Sequence, residues 1–126
     1  MTGFVANIEE KTLQNTNFRQ VIFTAAHSQL VLMSLLPSED IGDEIHTVDQ
    51  FFRVESGEGK VILDGQESLL TNGTAIVVPA GTKHNLINTS SSQALRLYTI
   101  YSPPQHKDGT IHATKAQALQ DEEDHL

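Results

Sequence analysis

Between residues 57 and 81 the chain carries four turn signals in close succession: Gly57-Glu58-Gly59, Asp64-Gly65, Asn72-Gly73 and Pro79-Ala80-Gly81. No helix of ordinary length fits between such interruptions. Asp-Gly and Asn-Gly flanked by apolar runs are the strongest short-range signals of a β-hairpin. The runs between them (60–63, 67–70 and 75–78) are short and rich in Val, Ile and Leu, so both dipeptides are predicted to close hairpins.

The same pattern extends in both directions. Residues 21–23 are a short apolar run. Residues 29–36 (QLVLMSLL) form a longer one closed by Pro37, and its length and proline stop fit a buried strand better than a helix. Residues 44–54, 84–88 and 94–101 complete a set of seven or eight short strands, the last stopped by Pro103-Pro104, which predicts an all-β sandwich or barrel. Two segments differ. Residues 1–17 are mixed and polar, and read as a loosely docked arm with one short strand. Only residues 114–123 look helical, with Thr114 as N-cap and Gln117 as its capping-box partner. The acidic run 121–124 at their end is expected to be a solvated face.

At 126 residues the chain is one domain's worth of sequence, with a core over about 18–102 and a C-terminal extension over 103–126. The 8 Lys and Arg against 16 Asp and Glu give a net charge of −8, which argues against a nucleic-acid partner and an anionic membrane surface. With no cysteine, disulfides, thiolate metal sites and cysteine nucleophiles are excluded. No apolar run has the length of a membrane span, and the N-terminus lacks the basic flank and apolar stretch of a signal peptide. A cytoplasmic protein is the expectation. The phosphate-binding glycine loop, the dinucleotide fingerprint and the nucleophile elbow are all missing.

The stretch most informative about chemistry is 42–57. Alternation along a strand puts Glu44, His46, Val48, Gln50 and Phe52 on one side, and Ile45, Thr47, Asp49, Phe51 and Arg53 on the other. Three side chains with metal-ligating atoms thus share one face. A second imidazole, His84, heads the strand after the Pro79-Ala80-Gly81 turn. If those strands are neighbours, two imidazoles, a carboxylate and an amide oxygen converge. A metal-free polar pocket, in which these groups satisfy one another, is the competing reading. Tyr98 and Ile100 share one strand face, Thr99 and Tyr101 the other, and Tyr98 is carried with Glu44 as a candidate catalytic residue. His106 and His112 flank Lys107-Asp108-Gly109. They read either as part of a C-terminal lid over the barrel mouth or as loop histidines without a role.

These segments resemble the paired motifs of the cupin superfamily. The first family motif runs Gly, five residues, His, one residue, His, three or four residues, Glu, six residues, Gly; the matching positions are Ser38, Glu44, His46, Gln50 and Gly57. The second runs Gly, five residues, Pro, one residue, Gly, two residues, His, three residues, Asn, and Gly73, Pro79, Gly81, His84 and Asn88 match it in full. The segments DQFFRVESGEGKVILDG and LYTIYSPPQHKDGTIHATKA are similar to a group of small bacterial cupins often labelled mannose-6-phosphate isomerase-like. The resemblance implies a jelly-roll barrel (a double-stranded β-helix) with a short C-terminal helix, and a homodimer whose contact would draw on the residues before Phe18. It implies a divalent metal (Mn, Fe, Ni or Zn) held by Glu44, His46, Gln50 and His84. The family's first ligand His is Glu44 here and its ligand Glu is Gln50, so the single carboxylate has moved within the set.

Three functions follow as expectations. The first is a metal-dependent isomerase or tautomerase acting on a small oxygenated molecule such as a sugar, uronate or keto-acid. The second is an Fe(II) dioxygenase, which a two-His-one-carboxylate set would suit. The third is a binding module for a small-molecule ligand without catalysis.

Overall fold

Asp64 and Gly65 both take positive φ (46° and 85°), as a two-residue turn of the kind that matches strand twist requires. They return strand β4 (Gly59–Leu63) onto β5 (Gln66–Leu70) as the expected hairpin. In this computed structural model, which describes residues 2–121 and 123–126, the remaining strands are β1 (Arg19–Thr24), β2 (Gln29–Leu35), β3 (Asp49–Ser56), β6 (Ala75–Val78), β7 (His84–Asn88), β8 (Leu95–Ser102) and β9 (Ile111–His112). All pairings between them are antiparallel.

The second turn behaves differently. Asn72-Gly73 does not close a hairpin: β5 pairs only with β4 among the described strands, whereas β6 pairs with β3. The turn is stitched to β3 by hydrogen bonds from Gly73 N to Val54 O (2.8 Å) and from Val54 N to Thr74 O (3.0 Å), so it hands the chain from one sheet to the other. The Pro79–Gly81 turn and the Gly57 turn do the same. From β3 to β8 the chain therefore crosses back and forth between a six-stranded sheet, in the order β6-β3-β8-β2-β1-β9, and a three-stranded sheet, β5-β4-β7, with the β4–β5 hairpin kept together in the smaller one. This is the jelly-roll arrangement. Inward residues of both sheets, among them Val31, Met33, Phe52, Val54, Val61, Leu86, Leu95 and Leu97, fuse into one core cluster.

The two ends of the chain depart from expectation. Residues 8–14 form a helix, α1 (Ile8–Gln14), rather than part of a loose arm with a short strand. Asn7 caps it, its side chain accepting from Glu10 N at 2.9 Å, and Glu9 and Glu10 lie in the first turn, where the helix dipole favours them. It packs across β8, β3 and β2 of the six-stranded sheet with Thr12 buried. At the other end α2 (Lys115–Gln120) is capped by Thr114 as expected, but ends before residue 121. The Gln117 carboxamide accepts from Ala113 N (2.8 Å) rather than from the cap residue. Of the acidic run, Asp124 is fully buried rather than solvated, and Glu122 lies outside the described residues. Strand β9, which pairs with β1, has no counterpart in the sequence reading. Among the described residues no helix is long and apolar enough to cross a membrane.

Candidate functional site

The polar interior residues gather where the 39–46 segment runs along β7. Backbone hydrogen bonds from Ile41 N to Leu86 O and between Glu44 and His84 in both directions (2.9 Å each) lay this segment antiparallel to the strand. Gly81 N then donates to His46 O (2.8 Å), and Ala80 N to Asp49 Oδ1 (2.9 Å). The turn that delivers His84 is thus tied to the stretch that carries Glu44, His46 and Gln50. Regular strand begins only at Asp49, yet the alternation holds upstream of it: His46, Val48 and Gln50 are buried, while Ile45, Thr47 and Asp49 are exposed. Ser38, where the family motif has Gly, takes φ 65°, in the region glycine favours.

The His46 and His84 rings lie 5.3 Å apart, centroid to centroid. His46 Nε2 is 3.1 Å from Glu44 Oε2. His84 Nδ1 is 2.9 Å from the Thr82 carbonyl, an acceptor that keeps the proton on Nδ1. Its Nε2 is therefore a bare lone pair, and it is buried with no hydrogen-bond partner. Gln50 donates to Thr99 Oγ1 (3.0 Å), which leaves its Oε1 buried and without a partner as well. Phe52, fully buried, lies 6.3 Å from His84. Burial works to raise the Glu44 carboxyl, but the hydrogen bond and charge of His46, aided by Arg19, outweigh it and hold the group below the ordinary carboxylate value.

The tyrosine beside this group is Tyr101, not Tyr98, which corrects the sequence reading. Tyr98 is half-buried on the outer face of β8, 6.3 Å from Phe51, and cannot reach the interior. Tyr101 pairs across to Gln50 and stands edge-on to His46 at 5.9 Å. Burial pushes its hydroxyl pKa up, so it stays protonated. The available signal was phase: Tyr101 shares its face with Leu95, Leu97 and Thr99, all fully buried.

His106 and His112 are not free loop histidines. Both are buried. His106 Nε2 lies 3.2 Å from the Tyr101 hydroxyl and its Nδ1 2.8 Å from Asp124 Oδ2, while His112 contacts Asp121 (3.0 Å) and Arg19 (3.4 Å). Burial, with Arg19 and His125 adding positive charge, pushes the His106 pKa down to about 3. Arg19, which is buried, went unremarked in the sequence.

A cleft of about 220 Å³ lined by Phe18, Arg19, Glu44, Lys115, Leu119 and His125 opens over Glu44, so α2 and the tail wall its mouth. Lys115 Nζ anchors that wall on Asp40 Oδ1 (2.6 Å). The hydrogen bond from Lys115, then that from Asn85, holds the Asp40 carboxyl below its usual value despite partial burial. Its stabilisation is thus present above the unfolded value of 3.8 and fades as pH falls through the lower folded value. At this half-exposed site Lys115→Ala should cost no more than about 1 kcal/mol at neutral pH. Urea titrations should show the difference from wild type vanishing in acid.

A family model of the cupin domain (Cupin_2) matches residues 31–101. The uncharacterized protein YrkC of Bacillus subtilis (strain 168) is 50% identical over 123 residues, covering 92% of this chain and 66% of its own length. This chain thus spans just under two thirds of that relative. The uncharacterized protein L612 of Acanthamoeba polyphaga mimivirus is 48% identical over 120 residues, covering 91% of this chain and 74% of its own. Among solved structures, BH2720 from Bacillus halodurans superposes with a TM-score of 0.92 at 45% identity, covering 94% of this chain and 95% of that one. TT1209 from Thermus thermophilus superposes with a TM-score of 0.69 at 26% identity, over 79% and 96% of the two chains.

Proposed function

We infer a function from one premise: this chain belongs to the cupin family. Cupins characteristically hold a divalent metal inside the barrel, and the donors present here suit one. Two imidazoles, one carboxylate and one amide oxygen are a donor set for Mn(II), Fe(II), Ni(II) or Zn(II). The observation that carries the reading is the pair of orphaned atoms, His84 Nε2 and Gln50 Oε1, buried beside the Glu44–His46 contact. A buried acceptor without a partner is costly, and a cation is the partner that both can accept. His46, His84 and Glu44 would hold the metal, with Gln50 completing the shell.

The reaction we favour is isomerisation or tautomerisation of a small oxygenated molecule: a sugar, uronate or keto-acid. When bound, the metal supplies a Lewis acid for a carbonyl oxygen. The chain's own groups supply the rest. The Thr82 carbonyl fixes the His84 ring, Thr99 fixes Gln50, and Tyr101 presents a neutral hydroxyl held by His106. The substrate would enter by the cleft over Glu44, where Arg19 and Lys115 favour an anionic group. We also infer a homodimer. Val77 on edge strand β6 is 66% exposed and pairs with Phe51, which pairs in turn with Ile100, making an apolar strip on the outer face of the larger sheet. Sedimentation should show a dimer that Val77→Asp dissociates, and a monomeric wild type would remove that part of the reading.

The direct test is elemental analysis and calorimetric titration of chelator-stripped protein with Mn(II), Fe(II), Ni(II) and Zn(II). Wild type should take up an equivalent that His84→Ala loses, with affinity falling by at least about 100-fold. An unchanged isotherm in His84→Ala would end the metal reading. Dioxygen uptake on adding Fe(II) and a diol would replace isomerisation with oxygenation.

A further inference from the structure

A second histidine–carboxylate group adjoins the barrel site on the far side of Tyr101, where the tail returns to the body of the protein. An antiparallel bridge pairs His106 with His125, and Leu126 N donates to Gln105 O at 2.9 Å. This zipper sets the consecutive residues Asp124 and His125 against His106. His106 Nδ1 is 2.8 Å from Asp124 Oδ2, and His125 Nε2 is 3.0 Å from Asp124 Oδ1. One donor atom from each of the three residues lies within 4.8 Å of the others.

We propose that His106, Asp124 and His125 form a binding site for a borderline divalent metal, Zn(II), Ni(II) or Co(II), which clasps the C-terminal tail to the barrel. Docking by hydrogen bonds alone would need only one of the two imidazoles. His106 already serves Asp124 Oδ2, yet Asp124 Oδ1, fully buried, makes no hydrogen bond even though His125 Nε2 is 3.0 Å away. The approach is close but is not aligned as a hydrogen bond, whereas donors around a common ion need only converge on it. The outer ring nitrogen of His106 is placed as in a metal-bound histidine, its Nε2 meeting the Tyr101 hydroxyl at 3.2 Å. Half-exposed His125 gives an ion access to two otherwise buried ligands. Arg19 Nη1 lies 3.9 Å from Asp124 Oδ2 and weakens the pull on any cation. Selection therefore falls to the imidazoles, which favours these metals over Ca(II) and Mg(II). His125 also lines the cleft over Glu44, so the clasp fixes one wall of the entrance to the barrel.

The test uses the full chain, stripped with chelator and titrated with Zn(II) and Co(II). The key variant is His125→Ala, whose half-exposed side chain puts folding at little risk. It should lose one equivalent, with affinity at that site falling by at least about 100-fold. Metal should also slow tryptic cleavage after Lys115 in wild type and leave His125→Ala unprotected. An isotherm that His125→Ala does not change, including no binding by either protein, overturns the proposal, as does equal protection of both. The two centres fail separately: His84→Ala reports on the barrel equivalent and His125→Ala on the tail equivalent.

Discussion

Phe52→Ala is expected to lower the unfolding free energy by about 3–5 kcal/mol, whereas Phe51→Ala, one residue earlier, should cost about 1.5 kcal/mol or less. The two side chains are chemically identical and adjacent in β3, so only the direction each faces separates them. Phe52 points into the fused core, fully buried, opposite Ile76 on β6 and Thr99 on β8. Removing it opens a cavity that close-packed neighbours cannot fill. Phe51 points outward, half-buried, against Tyr98 and Val77. Total stability of a domain this size is only about 5–15 kcal/mol, so the inward variant should sit close to the unfolding threshold at room temperature. Urea unfolding followed by far-UV circular dichroism measures both, and similar midpoints for the two variants would contradict the assigned faces of β3. The inward variant should also weaken metal binding, because Phe52 packs near the His84 ring.

How much of this was legible in the sequence depends on whether the signal was local. Strand alternation is local, and it placed His46, Gln50 and Phe52 on one face even though the ladder of β3 does not reach back to His46. The glycine turns were equally visible, but a turn dipeptide does not record which sheet the next strand joins. Asn72-Gly73 has the chemistry of a hairpin and serves as a crossing, because β3 is the partner that β6 finds. Helix α1 was missed because its seven residues bury only Thr12 and so carry no apolar stripe. The Asn7 and Glu10 pair was the only cue. The tail was misread for the opposite reason. Asp124 belongs to a run that looks solvated, and its burial is set by Arg19, His106 and His125, of which Arg19 is remote in sequence. Strand β9 is two residues long and exists because β1 offers an edge.

The second large effect is at the crossing between the sheets. Gly57→Ala should destabilise by about 3 kcal/mol or more, against about 1 kcal/mol for Gly65→Ala, although both glycines have positive φ. Gly65, at φ 85°, has open space where a methyl group would stand, so its variant carries conformational strain alone. Gly57, at φ 104°, carries the same strain and meets an obstruction as well. An added Cβ there would stand 2.6 Å from Ala94 O and 2.9 Å from Leu95 Cα, which are backbone atoms at the start of β8 and cannot rotate away. Relief would have to move β8 against β3, next to the register shift between Val54 and Ser56. That shift and the turn together swing the chain from the larger sheet to the smaller. Any displacement of β8 carries Thr99 and Tyr101 with it, so Gly57→Ala should also loosen Gln50 and weaken metal uptake, while Gly65→Ala leaves it unchanged. Thermal unfolding and metal titration of both variants give the measurement. Equal losses of stability would mean that β3 and β8 are not packed as closely at this crossing as the structure has them.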